Sequence, residues 1–207
     1  MRKWEKGKMI DFYSIRTFDE ITEFHCIMPM SNIPSILTHG ILSFDQVSSM
    51  VYDSIALNVV QSRREKSVPG GLRLHQYANL FFHARNPMMY LIRENRICIL
   101  RIDKIICRIE GVVFTDRNAA SKYVRYLSVD EVQSLDYQAI YAQDWTDVNE
   151  YAYFEKKSTK NAEVLIPRRI PENFIIGAYV KNEDGKNTLQ ELGFDRQIEV
   201  YAEMFFR

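Results

Sequence analysis

The chain has 207 residues, 46% hydrophobic and 26% charged, which suits one compact domain with a real core and excludes a disordered chain. Its 27 basic and 27 acidic side chains cancel to zero formal charge, which argues against a nucleic-acid binder held by bulk charge alone. Three cysteines without C-x-x-C spacing exclude a disulfide framework and offer no zinc pattern, and no apolar run reaches membrane-spanning length, so the chain reads as soluble and cytoplasmic.

After a charged lead-in, Glu23–Met28 reads as a strand in which His25 and Cys26 point to opposite faces. Ser31-Asn32-Ile33-Pro34 then opens a helix. Ser31 or Asn32 can cap it, Pro34 fits its first turn, and Gly40 ends it in a left-handed conformation. Ser54–Arg64 predicts a second helix, stopped by Val68-Pro69-Gly70-Gly71. Asn79–Ala84 is a strand and Pro87–Arg93 a short helix or turn, followed by strands at Ile97–Ile102 and Val112–Thr115. Ala119–Tyr126, Asp130–Leu135 and Val148–Lys157 read as helical. Strands follow at Ala162–Ile166 and Phe174–Val180, then an Asn182–Gly185 turn, a helix over Thr188–Leu192 and a last strand over Gln197–Phe206. Steady β-α alternation is missing, so the pattern favours an α+β fold over a doubly wound parallel sheet, in a single domain spanning 1–207.

The densest chemistry lies in Leu74–Tyr90, LHQYANLFFHARNPMMY. Leu80, Phe81 and Phe82 alone would satisfy a buried strand. The flanking His, Tyr, Arg and Met side chains suit a planar, charged small molecule. G-x-G-x-x-G, Walker-type and G-x-S-x-G loops are absent, so neither dinucleotide binding of the βαβ kind nor an α/β serine hydrolase fits. Glu163 heads the apolar run Ala162–Pro167, where a carboxylate is either an edge residue facing solvent or a working group. Arg63 and Arg64 end a predicted helix, where cations complement the helix dipole or fork onto a pyrophosphate. His25 is either a satisfied half-buried residue or a donor to a ribose hydroxyl, and Asn32 needs no role beyond capping. Between Gln61 and Arg108 ten basic residues face three acids, and 156–169 is basic again, whereas 130–155 holds seven acids and no Lys or Arg. The two basic stretches are the expected phosphate-attracting face.

Taken in order, several pieces resemble the DarT family of nucleic-acid ADP-ribosyltransferase toxins. They are Asn32-Ile33-Pro34-Ser35-Ile36-Leu37 with Gly40, Gln61–Gly71, Leu74-His75-Gln76-Tyr77 running to Asn86-Pro87-Met88-Met89-Tyr90, Phe114-Thr115-Asp116, and Ala162-Glu163-Val164-Leu165. The resemblance implies an ADP-ribosyltransferase-like fold of two packed, mainly antiparallel sheets around a central NAD cleft. It further implies transfer of ADP-ribose from NAD, as co-substrate and without a metal, onto a base of single-stranded DNA. On this resemblance Glu163 and Arg63 are catalytic, and His25, Asn32, Arg63, His75, Tyr77 and Met89 bind the cofactor. A macrodomain-type antitoxin is the implied protein partner. Two departures stand out. The family's usual His three residues before the helix-opening Asn is Pro29 here, so His25 could replace it only through a bulge. Asn118 stands where a His often follows the Thr-Asp pair. The modified base, thymine or guanine, stays open. The alternatives are the same chemistry on RNA, protein or water, and a catalytically inactive nucleic-acid-binding module.

Overall fold

The structure, a computed structural model, describes residues 10–48, 52, 64–94 and 96–207. Ten strands build it: β1 Glu23–Pro29, β2 Ile41–Leu42, β3 Tyr77–Phe81, β4 Ile97–Asp103, β5 Val113–Thr115, β6 Tyr126–Leu127, β7 Glu163–Pro167, β8 Arg169–Ile170, β9 Ile175–Val180 and β10 Gln197–Val200. Eight of them form one sheet in the order β10-β9-β4-β1-β3-β7-β5-β6, and β2 pairs with β8 in a second, two-stranded sheet. The expected two sheets are therefore present but very unequal. All pairings are antiparallel except β9 with β10. The helices are α1 Ile33–His39, α2 Phe44–Val47, α3 Pro87–Leu91, α4 Tyr137–Ile140, α5 Glu150–Thr159 and α6 Glu183–Glu191. No helix among the described residues is long and apolar enough to cross a membrane.

Local chemistry explains most of these boundaries. Gly40 ends α1 at φ 76°, and a Cβ there would collide with the Ile170 carbonyl oxygen, so only glycine lets β2 approach β8. Asn86 caps α3 by accepting from the Met89 amide at 3.0 Å, and Asn149 caps α5 through the Ala152 amide at 3.0 Å. Three sequence expectations change. Residues 119–125 are turns rather than a helix, tied down by Asp116, which accepts from the Arg125 backbone and guanidinium at 3.0 Å each. The Asn182–Gly185 turn is the first turn of α6, because Asn182 caps it through the Gly185 amide. The final strand stops at Val200. The helix expected over Ser54–Arg64 lies outside the described residues, save Arg64 itself.

The central strands β1, β3, β4 and β7 are buried almost throughout. One polar group set is buried with them. The Glu23 carboxylate accepts from Arg101 at 2.8 Å and 3.0 Å and from His25 Nε2 at 3.1 Å. Burial alone would raise the Glu23 pKa, but His25 and Arg101 outweigh it and hold the group at about 2, against an ordinary 4.5. The stabilisation is therefore complete above about pH 4.5 and lost as pH falls towards 2. Glu23→Gln is expected to lower unfolding free energy by roughly 3 kcal/mol at neutral pH, since Arg101 loses its most buried partner. Urea denaturation checks this, and the variant should also lack the wild type's acid slope between pH 4.5 and 2.

Candidate active site

A cavity of about 330 Å³ opens beside the central strands, a size that suits a small-molecule ligand. Its apolar wall includes Cys26, Met28 and Phe81 from the sheet, Ile36 from α1, Phe44 from α2, and Met88 and Leu91 from α3. Against this wall stands a set of polar side chains: Asn32, Asn79, Arg64, Asn118, Lys157, Asn161 and Glu163. Flat apolar surface with a few placed polar groups is the usual make-up of a nucleotide or cofactor pocket.

Glu163 is the centre of this set. It begins β7, between β3 and β5, in register with Phe81. Its backbone is pinned by Thr115, whose hydroxyl accepts from the Glu163 amide at 2.9 Å and donates to the Arg117 carbonyl at 2.7 Å. The carboxylate is only 1% exposed, yet it lines the cavity. Arg64 Nη1 donates to its two oxygens at 2.9 Å and 3.2 Å, and the Ala119 amide donates to Oε1 at 2.9 Å. Buried carboxylates are tolerated when so paired. The Glu163 side chain is therefore fixed by three donors from three separate segments. Arg64 is itself 8% exposed, and its Nη2 has no hydrogen-bond partner among the described residues. A buried, unused guanidinium donor at a cavity wall is one that a bound anion or carbonyl would satisfy.

The turns over 116–125 are held in place around this carboxylate. Arg117 pairs with Glu155 on α5 at 2.9 Å, Lys66 donates to the Ser121 carbonyl at 2.6 Å, and Tyr126 donates to the Ala119 carbonyl at 3.0 Å. Burial and the Arg64 charge push the Lys66 ammonium below its ordinary pKa. Asn161 bridges to α3, accepting from the Met88 amide at 3.3 Å. The site is thus a rigid constellation, supported by packed loops on every side that the sheet leaves open.

The residues expected from sequence divide clearly. Glu163 and Asn32 line the cavity. Asn32 makes no cap bond; its amide instead lies 3.5 Å from Met28 Sδ. Arg63 lies outside the described residues, and the guanidinium that meets Glu163 belongs to Arg64, which sequence reasoning left as a helix-end cation. His25 is absent from the cavity wall. It is fully buried, its Nδ1 accepts from the Ala84 amide at 3.1 Å, and its Nε2 is turned to Glu23. Strand alternation explains this, since it is the neighbouring Cys26 that lines the cavity. Pro29 also lines the cavity, so no bulge brings His25 to that place.

His75, Tyr77 and Met89 are likewise not among the lining residues. His75 stacks on Phe44 at 4.5 Å, and Phe44 in turn lines the cavity. Tyr77 accepts from the Leu72 amide at 3.1 Å and so closes the Gly70-Gly71 turn. Met89 is fully buried, and Met88 takes the cavity position. Lys157 and Asn161 were missed altogether, because their approach to the cavity depends on where α5 packs. The basic stretches do not form one face either. Arg101 lies under the sheet on Glu23, Arg73 pairs with Asp45, and Arg96 reaches Thr188 on α6.

A family model described as DarT, ssDNA thymidine ADP-ribosyltransferase, matches residues 24–206. The chain belongs to the DarT family. It is 27% identical over 204 residues to a DNA ADP-ribosyl transferase–DNA ADP-ribosyl glycohydrolase fusion protein of Thermosipho africanus, covering 91% of this chain and 50% of that one. The chain therefore spans about half the length of this relative. It is 30% identical over 172 residues to a DNA ADP-ribosyl transferase of Thermus sp. strain 2.9, covering 75% and 79% of the two chains. Among solved structures, Thermus sp. 2.9 DarT with ADP-ribosylated ssDNA superposes with a TM-score of 0.77 at 26% identity, over 92% of this chain and 99% of that one. The NAD+ complex of Thermus sp. 2.9 DarT gives a TM-score of 0.76 at 24% identity, over 90% and 98%, which carries the shared fold. The unequal sheets described above are thus the DarT architecture.

Proposed function

We propose that this chain is an NAD-dependent DNA ADP-ribosyltransferase that transfers ADP-ribose to thymine in single-stranded DNA. The observation that carries the reading is the Glu163 carboxylate, held by Arg64 and the Ala119 amide at the wall of a nucleotide-sized cavity. Family membership supplies the acceptor class. Cleavage of the nicotinamide–ribose bond develops oxocarbenium character, and a fixed carboxylate stabilises that charge without reorganising. Glu163 also serves as hydrogen-bond acceptor for the ribose 2-hydroxyl and as base for the proton leaving the attacking thymine nitrogen. Arg64 orients the carboxylate and offers its unused Nη2 to the bound nucleotide. Asn32, on the opposite wall, is the cofactor-contacting residue retained from the sequence-based set.

The 207 residues act as one catalytic domain in the cytoplasm. The Thermosipho relative joins a DNA ADP-ribosyl transferase to a DNA ADP-ribosyl glycohydrolase. By the same chemistry a separate glycohydrolase of macrodomain type, which removes the modification, is the partner proposed for this chain.

The test is mass spectrometry of oligonucleotides that differ in one base type, after incubation with NAD. Thymine-containing single strands are expected to gain one ADP-ribose. A gain on RNA or protein alone, or on none of them, would overturn the assignment.

A further inference from the structure

The helix α5 carries an outward-facing apolar surface that packing does not explain. None of its ten residues is buried. Tyr151 is 76% exposed and Phe154 55%, and Val148 just before the helix is fully exposed. What holds the helix is polar: the Asn149 cap, the Arg117–Glu155 pair at 2.9 Å and the Lys156–Asp147 pair at 2.7 Å. Clustered exposed aromatic side chains on an otherwise ordered surface mark a contact site.

The spacing of these rings connects them to the cavity. Helical residues three or four apart share a face, so Tyr151, Phe154, Lys157 and Asn161 form one stripe. Asn161 follows the last turn and donates back to the Lys157 carbonyl at 2.9 Å. Lys157 and Asn161 line the cavity, two positions before Glu163 in the latter case. The stripe therefore starts at the cavity and runs outward along α5. At about 1.5 Å rise per residue, Tyr151 lies about 9 Å from Lys157 along the axis. That is room for two or three nucleotides at a stacking repeat of about 3.4 Å.

We propose that this stripe is the track for the single-stranded acceptor: Phe154 and Tyr151 stack on the bases next to the modified one, and Lys157 meets the phosphate between them. The inference rests on the proposed function and names the surface that serves it. The local charge permits it although the surrounding segment is acidic. Glu155 and Asp147 are already paired with Arg117 and Lys156, whereas no carboxylate among the described residues pairs with Lys157, which donates to the Tyr153 hydroxyl at 3.2 Å. Exposed rings beside an unpaired cation are the general design of sequence-tolerant single-strand binding.

Phe154→Leu and Tyr151→Leu separate ring stacking from general apolar contact, and both residues are exposed enough for the variants to fold. The thermal shift produced by NAD is expected to match wild type. KM for a thymine-containing oligonucleotide is expected to rise about tenfold for each leucine, with kcat at saturation little changed. Phe154→Tyr and Tyr151→Phe should hold the wild-type KM. Wild-type KM in both leucine variants, with transfer intact, would overturn the track and leave the proposed function standing, the exposed rings then belonging to a protein interface. A wild-type protein that binds NAD yet modifies no oligonucleotide would overturn both.

Discussion

Glu163→Gln is expected to lower ADP-ribose transfer by about 10²–10³-fold or more while leaving a folded protein that still binds NAD. The substitution conserves volume inside a sheet, and the amide oxygen can keep the bond from the Ala119 amide, which is 2.9 Å from Oε1. What is lost is negative charge at the developing oxocarbenium centre, together with the acceptor facing Arg64 at 2.9 Å. Placing an amide NH₂ against a guanidinium costs about 1–3 kcal/mol of stability, which chemical denaturation should register. Single-turnover transfer to an oligonucleotide measures the chemical step, and the NAD-induced thermal shift measures binding. A glutamine variant with an undiminished transfer rate would remove Glu163 from the mechanism.

Arg64→Ala is expected to damage both stability and rate, by a different route. Glu163 would keep only the Ala119 donor while staying buried, and removing one partner of a buried ion pair costs about 3–5 kcal/mol. Transfer should fall by roughly a hundredfold, as for other preorganised electrostatic contacts. Arg64→Lys discriminates between charge and geometry. A lysine can neutralise the carboxylate, so most of the stability should return. It cannot contact Glu163 and also offer a second planar donor, so the rate should stay low. Urea midpoints and transfer rates for both variants check this, with Arg63→Ala alongside to test the guanidinium that family resemblance favours. Wild-type stability and rate in Arg64→Ala would show that the ion pair is incidental.

The contrast between these two arginines marks the limit of what a sequence conveys. Neighbouring residues in a helix differ by about 100° in direction, so only one of Arg63 and Arg64 can meet a given group. Sequence resemblance tolerates a shift of one position, but a 2.9 Å ion pair does not. The same one-residue margin separates Met88 from Met89 and Cys26 from His25. In each pair both residues suit the local pattern, and only the packed structure shows which one lines the cavity. Lys157 and Asn161 reach it for another reason, since the docking of α5 through Arg117–Glu155 is set by contacts distant in sequence.

The sequence by itself determined the α+β class, the strands that carry the sheet, the glycine that ends α1, the family and the catalytic acid. Those follow from local propensity, from alternation of apolar residues, and from a carboxylate heading a run that otherwise must be buried. Only the tertiary structure decided the partners of that carboxylate, the dispersal of the basic residues and the outward aromatic face of α5. Such features depend on side-chain direction and on contacts between distant segments, and no one-dimensional pattern records either of them.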